Sequence, residues 1–214
     1  MSTSLYIEAY EKIKELIVTT KMPPGSIVDE KLLIKDLNLG RTPIHSALNR
    51  LALEQLVEIA PRRGTFVSTI DIIDVPRIFE YRTMLEVPAV GLAVQRATKS
   101  QIREMEMVIE PLKAPSSELE NDLFIDSDKK FHHLIYVATN NRHIQEALDI
   151  LYAQIERIWF YFSLQNTEEF RAGGTNHFEI LEAFKNRDEE TAEHLMFAHT
   201  AWLQAKIIST FQTN

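Results

Sequence analysis

The chain contains no cysteine. That absence excludes disulfides and thiolate metal sites, and it suits a reducing compartment. It also lacks an apolar run of membrane length: the most apolar stretch, Val87 to Val94, falls far short of the roughly 20 residues a spanning helix needs. No basic segment followed by an apolar one opens the chain, so no export signal is read there. A soluble, cytoplasmic protein without a membrane partner is the expectation. Internal repeats and low-complexity segments are missing too. What is present is ordinary globular material, 45% hydrophobic and 25% charged over 214 residues. That is enough for one large domain or two small ones.

The net charge of −8 argues against a nucleic-acid partner only until it is divided along the chain. Residues 1–70 carry nine Lys and Arg against eight Asp and Glu, while residues 71–214 carry fourteen against twenty-three. The acidity belongs to the second part and does not veto DNA binding by the first.

Within residues 1–70, Tyr6, Ala9, Ile13, Leu16 and Ile17 mark the inward face of a helix over about residues 4–20, stopped by Met22-Pro23-Pro24-Gly25. Asp29 is the expected N-cap of a second helix with apolar positions Leu32, Leu33 and Leu37. A third helix follows, with Gly40 expected in a tight turn, Thr42 as cap and Pro43 at its first position. Its stripe is Ile44, Ala47, Leu48 and Leu51, and its opposite front carries His45, Ser46, Asn49 and, in part, Arg50. Two strand-like runs, Leu56–Ala60 and Thr65–Ser68, flank the basic tip Pro61-Arg62-Arg63-Gly64. Three helices and a basic hairpin describe a winged helix-turn-helix, whose third helix enters the major groove while wing arginines meet phosphates or a narrow minor groove. Arg41, at the start of that helix, has a guanidinium fork suited to guanine or phosphate. A solvated charged face on any three-helix cluster would look similar.

Residues 71–214 show no strand pattern. Six helices are expected, over about 75–97, 100–113, 119–139, 144–164, 167–186 and 189–211, with Gly173-Gly174 able to delay the fifth until about Thr175. Such a set packs as an all-α antiparallel bundle, and bundles place ligand sites between facing helices. Asp128 and His132 are four residues apart and share one helix face. With His177 and His199 they make one carboxylate and three imidazoles, a set suited to Zn²⁺, Ni²⁺ or Mn²⁺ with positions open to a ligand. Satisfied core histidines are the plain alternative. His133, His143 and His194 point elsewhere by helical phase. The aromatic run Trp159-Phe160-Tyr161-Phe162 reads as core or dimer interface.

Pro24-Gly25, Glu30-Lys31, Arg41-Thr42-Pro43-Ile44, Ala47-Leu48, Leu51, Leu56-Val57 and Pro61-Arg62-Arg63-Gly64-Thr65-Phe66-Val67 resemble the N-terminal domain of GntR-family transcriptional regulators. The resemblance implies a dimeric repressor or activator on a palindromic operator, with Lys31, Arg41, Thr42, His45 and Gly64 at the DNA. The chain departs from the pattern at Gly40, where serine is common, at Gln55, where glycine is common, and at His45-Ser46, where the family has an Arg-Glu pair. A neutral imidazole cannot replace a guanidinium fork, so the operator is expected to differ or the affinity to be weaker. Tyr81-Arg82, Leu85-Glu86, Asp128, Phe131-His132, Asn141, His177, Ile180-Leu181, Ala183, Asp188, Ala192 and His199 are similar to the all-helical domain of the FadR subgroup, with six helices as in its VanR-like branch. That implies a metal on Asp128, His132, His177 and His199 and a small carboxylate effector. It also implies that Arg82 faces the pocket, either clamping the effector or pairing with Glu86 one turn on. Asn141 and Asn176 are further lining candidates.

The expectation is thus a mostly α protein: residues 1–70 a winged helix-turn-helix DNA-binding domain, residues 71–214 an all-helical effector-binding and dimerisation domain. Its partners would be a double-stranded operator, a small carboxylate metabolite and a second copy. Two alternatives remain open. One is a metal-dependent hydrolytic enzyme, and the other a regulator with a metal-free apolar or acyl pocket.

Overall fold

Helix α1 (Ser2–Val18) buries Ala9, Ile13 and Ile17 at the expected spacing. The chain turns at Gly25, whose φ of +79° is one that L side chains rarely adopt. Helix α2 (Glu30–Leu37) opens under Asp29, whose carboxylate accepts from the Lys31 and Leu32 amides, as its sequence predicts. Leu33 is buried but Leu32 is about half exposed, so only one of the two neighbouring leucines serves the core.

The start of α3 (Arg41–Leu53) differs from expectation. The left-handed residue is Asn38, with φ of 53°, which closes α2 through amide bonds to carbonyls of its last turn. Gly40 is extended and is itself the N-cap, without a side-chain cap bond. Because Arg41 is already helical, Thr42 lies inside the first turn, past the capping position. The stripe Ile44, Ala47, Leu48 and Leu51 is buried throughout. After α3, Gln55 has φ of 60°, which explains why glycine suits that position.

Strands β1 (Val57–Ala60) and β2 (Gly64–Val67) pair antiparallel in the register Val57↔Val67 to Ala60↔Gly64. Arg62 and Gly64 take positive φ at the tip.

The remaining helices are α4 (Val75–Arg96), α5 (Lys99–Ile109) with a short 3₁₀ turn Glu110–Lys113, α6 (Asn121–Ala138), α7 (Arg142–Ser163), α8 (Asn176–Asn186) and α9 (Glu189–Gln212). The computed structural model describes residues 2–114, 121–163 and 176–212. The expected helical residues 119–120, 164 and 167–175, with Gly173-Gly174, lie outside them. Thr98 and Gln101 form a reciprocal capping box at the start of α5. The α4 and α9 helices pack along each other, and α5 lies against α6.

Two compact units result: Met1–Asp71 with Ala153–Tyr161, and Ile72–Tyr152 with Phe162–Asn214. In the first, Ala153 joins the core built from α1 and α3, and Phe160 packs on it. Gln154 Nε2 donates to the Glu54 carbonyl at 3.1 Å, and Arg157 Nη1 donates to the Ser68 carbonyl at 3.1 Å, at the base of the wing. Trp159 and Phe162 are buried within the single chain while Tyr161 is 40% exposed, so most of the aromatic run is core.

Candidate metal centre and nucleic-acid interface

Four helices of the second unit converge on one buried point. Asp128 and His132 come from the same face of α6, His177 from the first turn of α8, and His199 from the middle of α9. All four are buried, and one ligand atom from each lies within 4.8 Å of the others. His177 Nε2 is 2.9 Å and His132 Nε2 3.7 Å from Asp128 Oδ1, and His132 Nε2 is 3.3 Å from His199 Nε2.

The fourth helix, α4, supplies Glu86. Its Oε1 lies 2.6 Å from His132 Nδ1 and accepts from the Tyr136 hydroxyl at 2.6 Å, while Oε2 accepts from Arg82 Nε. A carboxylate at Nδ1 fixes the proton there and leaves the His132 Nε2 lone pair facing the cluster. Tyr152 of α7 donates to Asp128 Oδ2, so that Oδ1 is the oxygen turned toward the imidazoles.

Burial alone would raise the Glu86 pKa, but the adjoining Arg82 and His132 hold it well below the usual carboxylate range. Burial likewise opposes ionisation of Asp128, and His132, His177 and His199 outweigh it and pull the pKa down. Burial, with His177 and His132 alongside, pushes His199 well below the ordinary imidazole value. Asp128 is therefore held as the carboxylate and His199 as the neutral imidazole, the protonation states a metal ligand requires.

The residues present fit a cation. Asp128 Oδ1 and His199 Nδ1 are buried polar atoms without an aligned hydrogen bond. Two imidazole nitrogens 3.3 Å apart have about the spacing of two ligands sharing one ion at bond lengths of about 2.1 Å.

Arg82 is 1% exposed and pairs with Glu86, yet its Nη1 has no hydrogen-bond partner. Asn141 accepts from the His143 and Ile144 amides and so serves as a helix cap rather than as pocket lining. Asn176 opens α8 beside His177. His133 pairs with Asp149 at 2.8 Å, and His143 and His194 are exposed, all three away from the cluster as their phase predicts. The sequence marks Glu86 only as a partner for Arg82, and it singles out neither Tyr136 nor Tyr152. Tyr136 lies one turn beyond His132, a signal available in the spacing, but nothing in the sequence ties Tyr152 to Asp128.

In the first unit, Lys31, Arg41, Thr42, His45, Asn49, Arg62, Arg63 and Gly64 are all exposed. Lys31 sits in the first turn of α2, Arg41 and Thr42 in the first turn of α3, and Arg62, Arg63 and Gly64 at the wing. Arg50 does not belong with them. Its Nε donates to Glu54 Oε1 at 3.1 Å and its guanidinium lies 4.4 Å over the Tyr10 ring, so it is turned back against α1. The sequence had placed it partly on the front because helical phase sets the direction of Cβ, whereas Glu54 and Tyr10 set where the long side chain ends.

A winged helix-turn-helix joined to a helical domain with a buried polar centre defines a DNA-binding regulator carrying a sensor domain. Residues 5–67 match the bacterial regulatory proteins of the gntR family, and residues 77–201 match the FCD domain. The chain belongs to the GntR family, in the subgroup whose second domain is FCD, and it is a transcriptional regulator rather than an enzyme. It is 28% identical over 200 residues to the HTH-type transcriptional regulator YdhC of Bacillus subtilis, covering 92% of this chain and 88% of that one. It is 24% identical over 207 residues to the repressor RspR of Escherichia coli, covering 97% and 90%.

Among solved structures, E. coli McbR/YncC superposes with a TM-score of 0.85 at 23% identity, over 98% of both chains. The Zn²⁺-bound FCD domain of TM0439 superposes with a TM-score of 0.56 at 20% identity, over 69% of this chain and 100% of that one. These two likenesses establish the fold. Among the described residues, no helix is long and apolar enough to cross a membrane.

Proposed function

We propose that residues 1–70 bind one half-site of a palindromic operator, and that residues 71–214 dimerise the chain and hold a divalent metal ion with a small carboxylate effector. The observation that carries the metal reading is the buried convergence of Asp128, His132, His177 and His199, with Glu86 behind His132 and Tyr152 behind Asp128. The donor set suits zinc, nickel or manganese. The TM0439 FCD domain, known both with Zn²⁺ and metal-free, supports it.

Once held, the ion would supply positive charge and ligand positions to an effector carboxylate. Arg82 favours an acid over an apolar or acyl ligand. One edge of its guanidinium is committed to Glu86, while Nη1 remains buried and without a partner. A buried cationic N–H of that kind is satisfied by an anion at lower cost than by any neutral group. An effector that prefers one arrangement of the DNA-binding units changes operator affinity by its differential affinity for the two states, and no more.

Metal analysis of protein prepared without a histidine tag tests the site. One equivalent of metal per chain is expected, lost in His177→Ala while operator binding by the effector-free protein persists. Absence of stoichiometric metal from the wild type, or its retention in His177→Ala, overturns the metal reading. Independently, Arg41→Ala is expected to abolish specific operator binding, and survival of both affinity and specificity would remove α3 from the DNA.

A further inference from the structure

On the exposed front of α3, Asn49 Nδ2 lies 3.0 Å from His45 Nδ1, one helical turn away. We propose that these two side chains act as one hydrogen-bonded reading unit, selecting an adenine under Asn49 beside a base that presents an acceptor to His45. The inference rests on the reading of α3 as the DNA-reading helix.

The chemistry follows from which atoms can donate. An amide nitrogen only donates, so His45 Nδ1 is the acceptor and the single proton of the neutral imidazole sits on Nε2. His45 thereby presents an outward N–H donor. It matches any acceptor of the major groove: guanine N7 or O6, adenine N7, or thymine O4.

Asn49 uses one amide N–H on His45 and retains the other N–H and Oδ1, side by side. That donor–acceptor pattern matches N7 and the N6 amino group of adenine and no other base edge in the major groove. The pairing also removes the ambiguity of an amide, which would otherwise present its two ends with equal ease. Holding the amide in one orientation before DNA arrives lowers the ordering cost of binding.

The platform beneath is fixed. Ile44, Ala47, Leu48 and Leu51 are buried, and Arg50 is bound to Glu54 at the back of the helix, leaving the front to His45, Asn49 and the short Ser46. Side chains one turn apart have Cβ atoms about 5–6 Å from each other, which lets them meet neighbouring base pairs. Where the family resemblance supplies an arginine at this position, His45 offers a single donor and an orienting contact instead.

The test is selection from random double-stranded DNA by the full chain, with His45→Ala and Asn49→Ala alongside. Wild type is expected to select an adenine at one position of each half-site. Asn49→Ala should lose that preference by roughly 10- to 100-fold while keeping the rest of the motif. His45→Ala should relax the neighbouring position and also blunt the adenine preference, because Asn49 is no longer oriented. Replacing the selected adenine by 7-deazaadenine, which lacks the N7 acceptor, should weaken wild type and leave Asn49→Ala unchanged.

If Asn49→Ala keeps the adenine, or if His45→Ala leaves it untouched, the paired reading is overturned while DNA reading by α3 stands. If wild type selects no motif at all, both fall together.

Discussion

Replacing Glu86 by glutamine keeps the shape of the side chain and takes its charge out of a site built around that charge. Three donors converge on the carboxylate: Arg82 Nε, His132 Nδ1 and the Tyr136 hydroxyl. Glutamine can accept two of these contacts through its oxygen, but its NH₂ must then face the Arg82 guanidinium, donor against donor. Arg82 is 1% exposed and has one nitrogen without a partner already, so the loss leaves a buried cation without its paired counter-charge. Breaking a buried pair in this way costs about 3–5 kcal/mol, well above the ~1 kcal/mol of an exposed pair. Urea unfolding of metal-free protein, followed by helical circular dichroism, should report a loss in that range. Removing the other charge as well, in Arg82→Met with Glu86→Gln, should recover at least about 1 kcal/mol of it, because the stranded cation is the main penalty. A second readout follows from His132, whose orientation depends on Glu86. Metal affinity should fall about 10- to 100-fold in the single variant. A loss under 1 kcal/mol together with unchanged metal affinity would refute the reasoning.

Two further outcomes are expected. Burial pulls the Arg157 pKa down to about 10, and its Nε lacks a partner. Arg157→Met keeps the packed stem and relieves the buried charge, so it should change stability by no more than about 1 kcal/mol, whereas Arg157→Ala should cost about 2–3 kcal/mol. Equal losses in the two variants would show that the carbonyl bonds, and not the stem, matter. His133 is raised above the ordinary imidazole value by its hydrogen bond to Asp149. A raised folded-state pKa means the stabilisation is fully present below about pH 6.5 and is lost as pH climbs through the folded value. The pair is half exposed, so the effect is only a few tenths of a kcal/mol. The stability gap between wild type and His133→Gln should therefore be larger at pH 5.5 than at pH 8.5, and the reverse order would contradict the assignment.

Local features were legible in the residues. The stripe Ile44, Ala47, Leu48 and Leu51, the Asp29 cap, the two strands of the wing and most helical bounds of the second unit follow from periodicity and from residues that stop a helix. Asp128 and His132 share a face because a four-residue spacing on a helix permits nothing else. His177 and His199 were candidates by residue type alone, and it was the resemblance that joined them to that pair, which no local spacing could do. Where local reasoning failed, it failed by a residue or by a side chain: Asn38 took the left-handed turn expected of Gly40, Thr42 fell inside its helix, and Arg50 swung back to Tyr10 and Glu54.

By itself, then, the sequence determined which segments are helices, which face of each is apolar, and which polar groups ride on the opposite face, since these depend on neighbours three and four residues away. Only the tertiary structure decided that Glu86 orients His132, that Tyr152 orients Asp128, and that Ala153 enters the core of the winged unit. Those contacts join residues tens to a hundred or so positions apart. Their geometry is set by how whole helices pack, which no short-range pattern encodes.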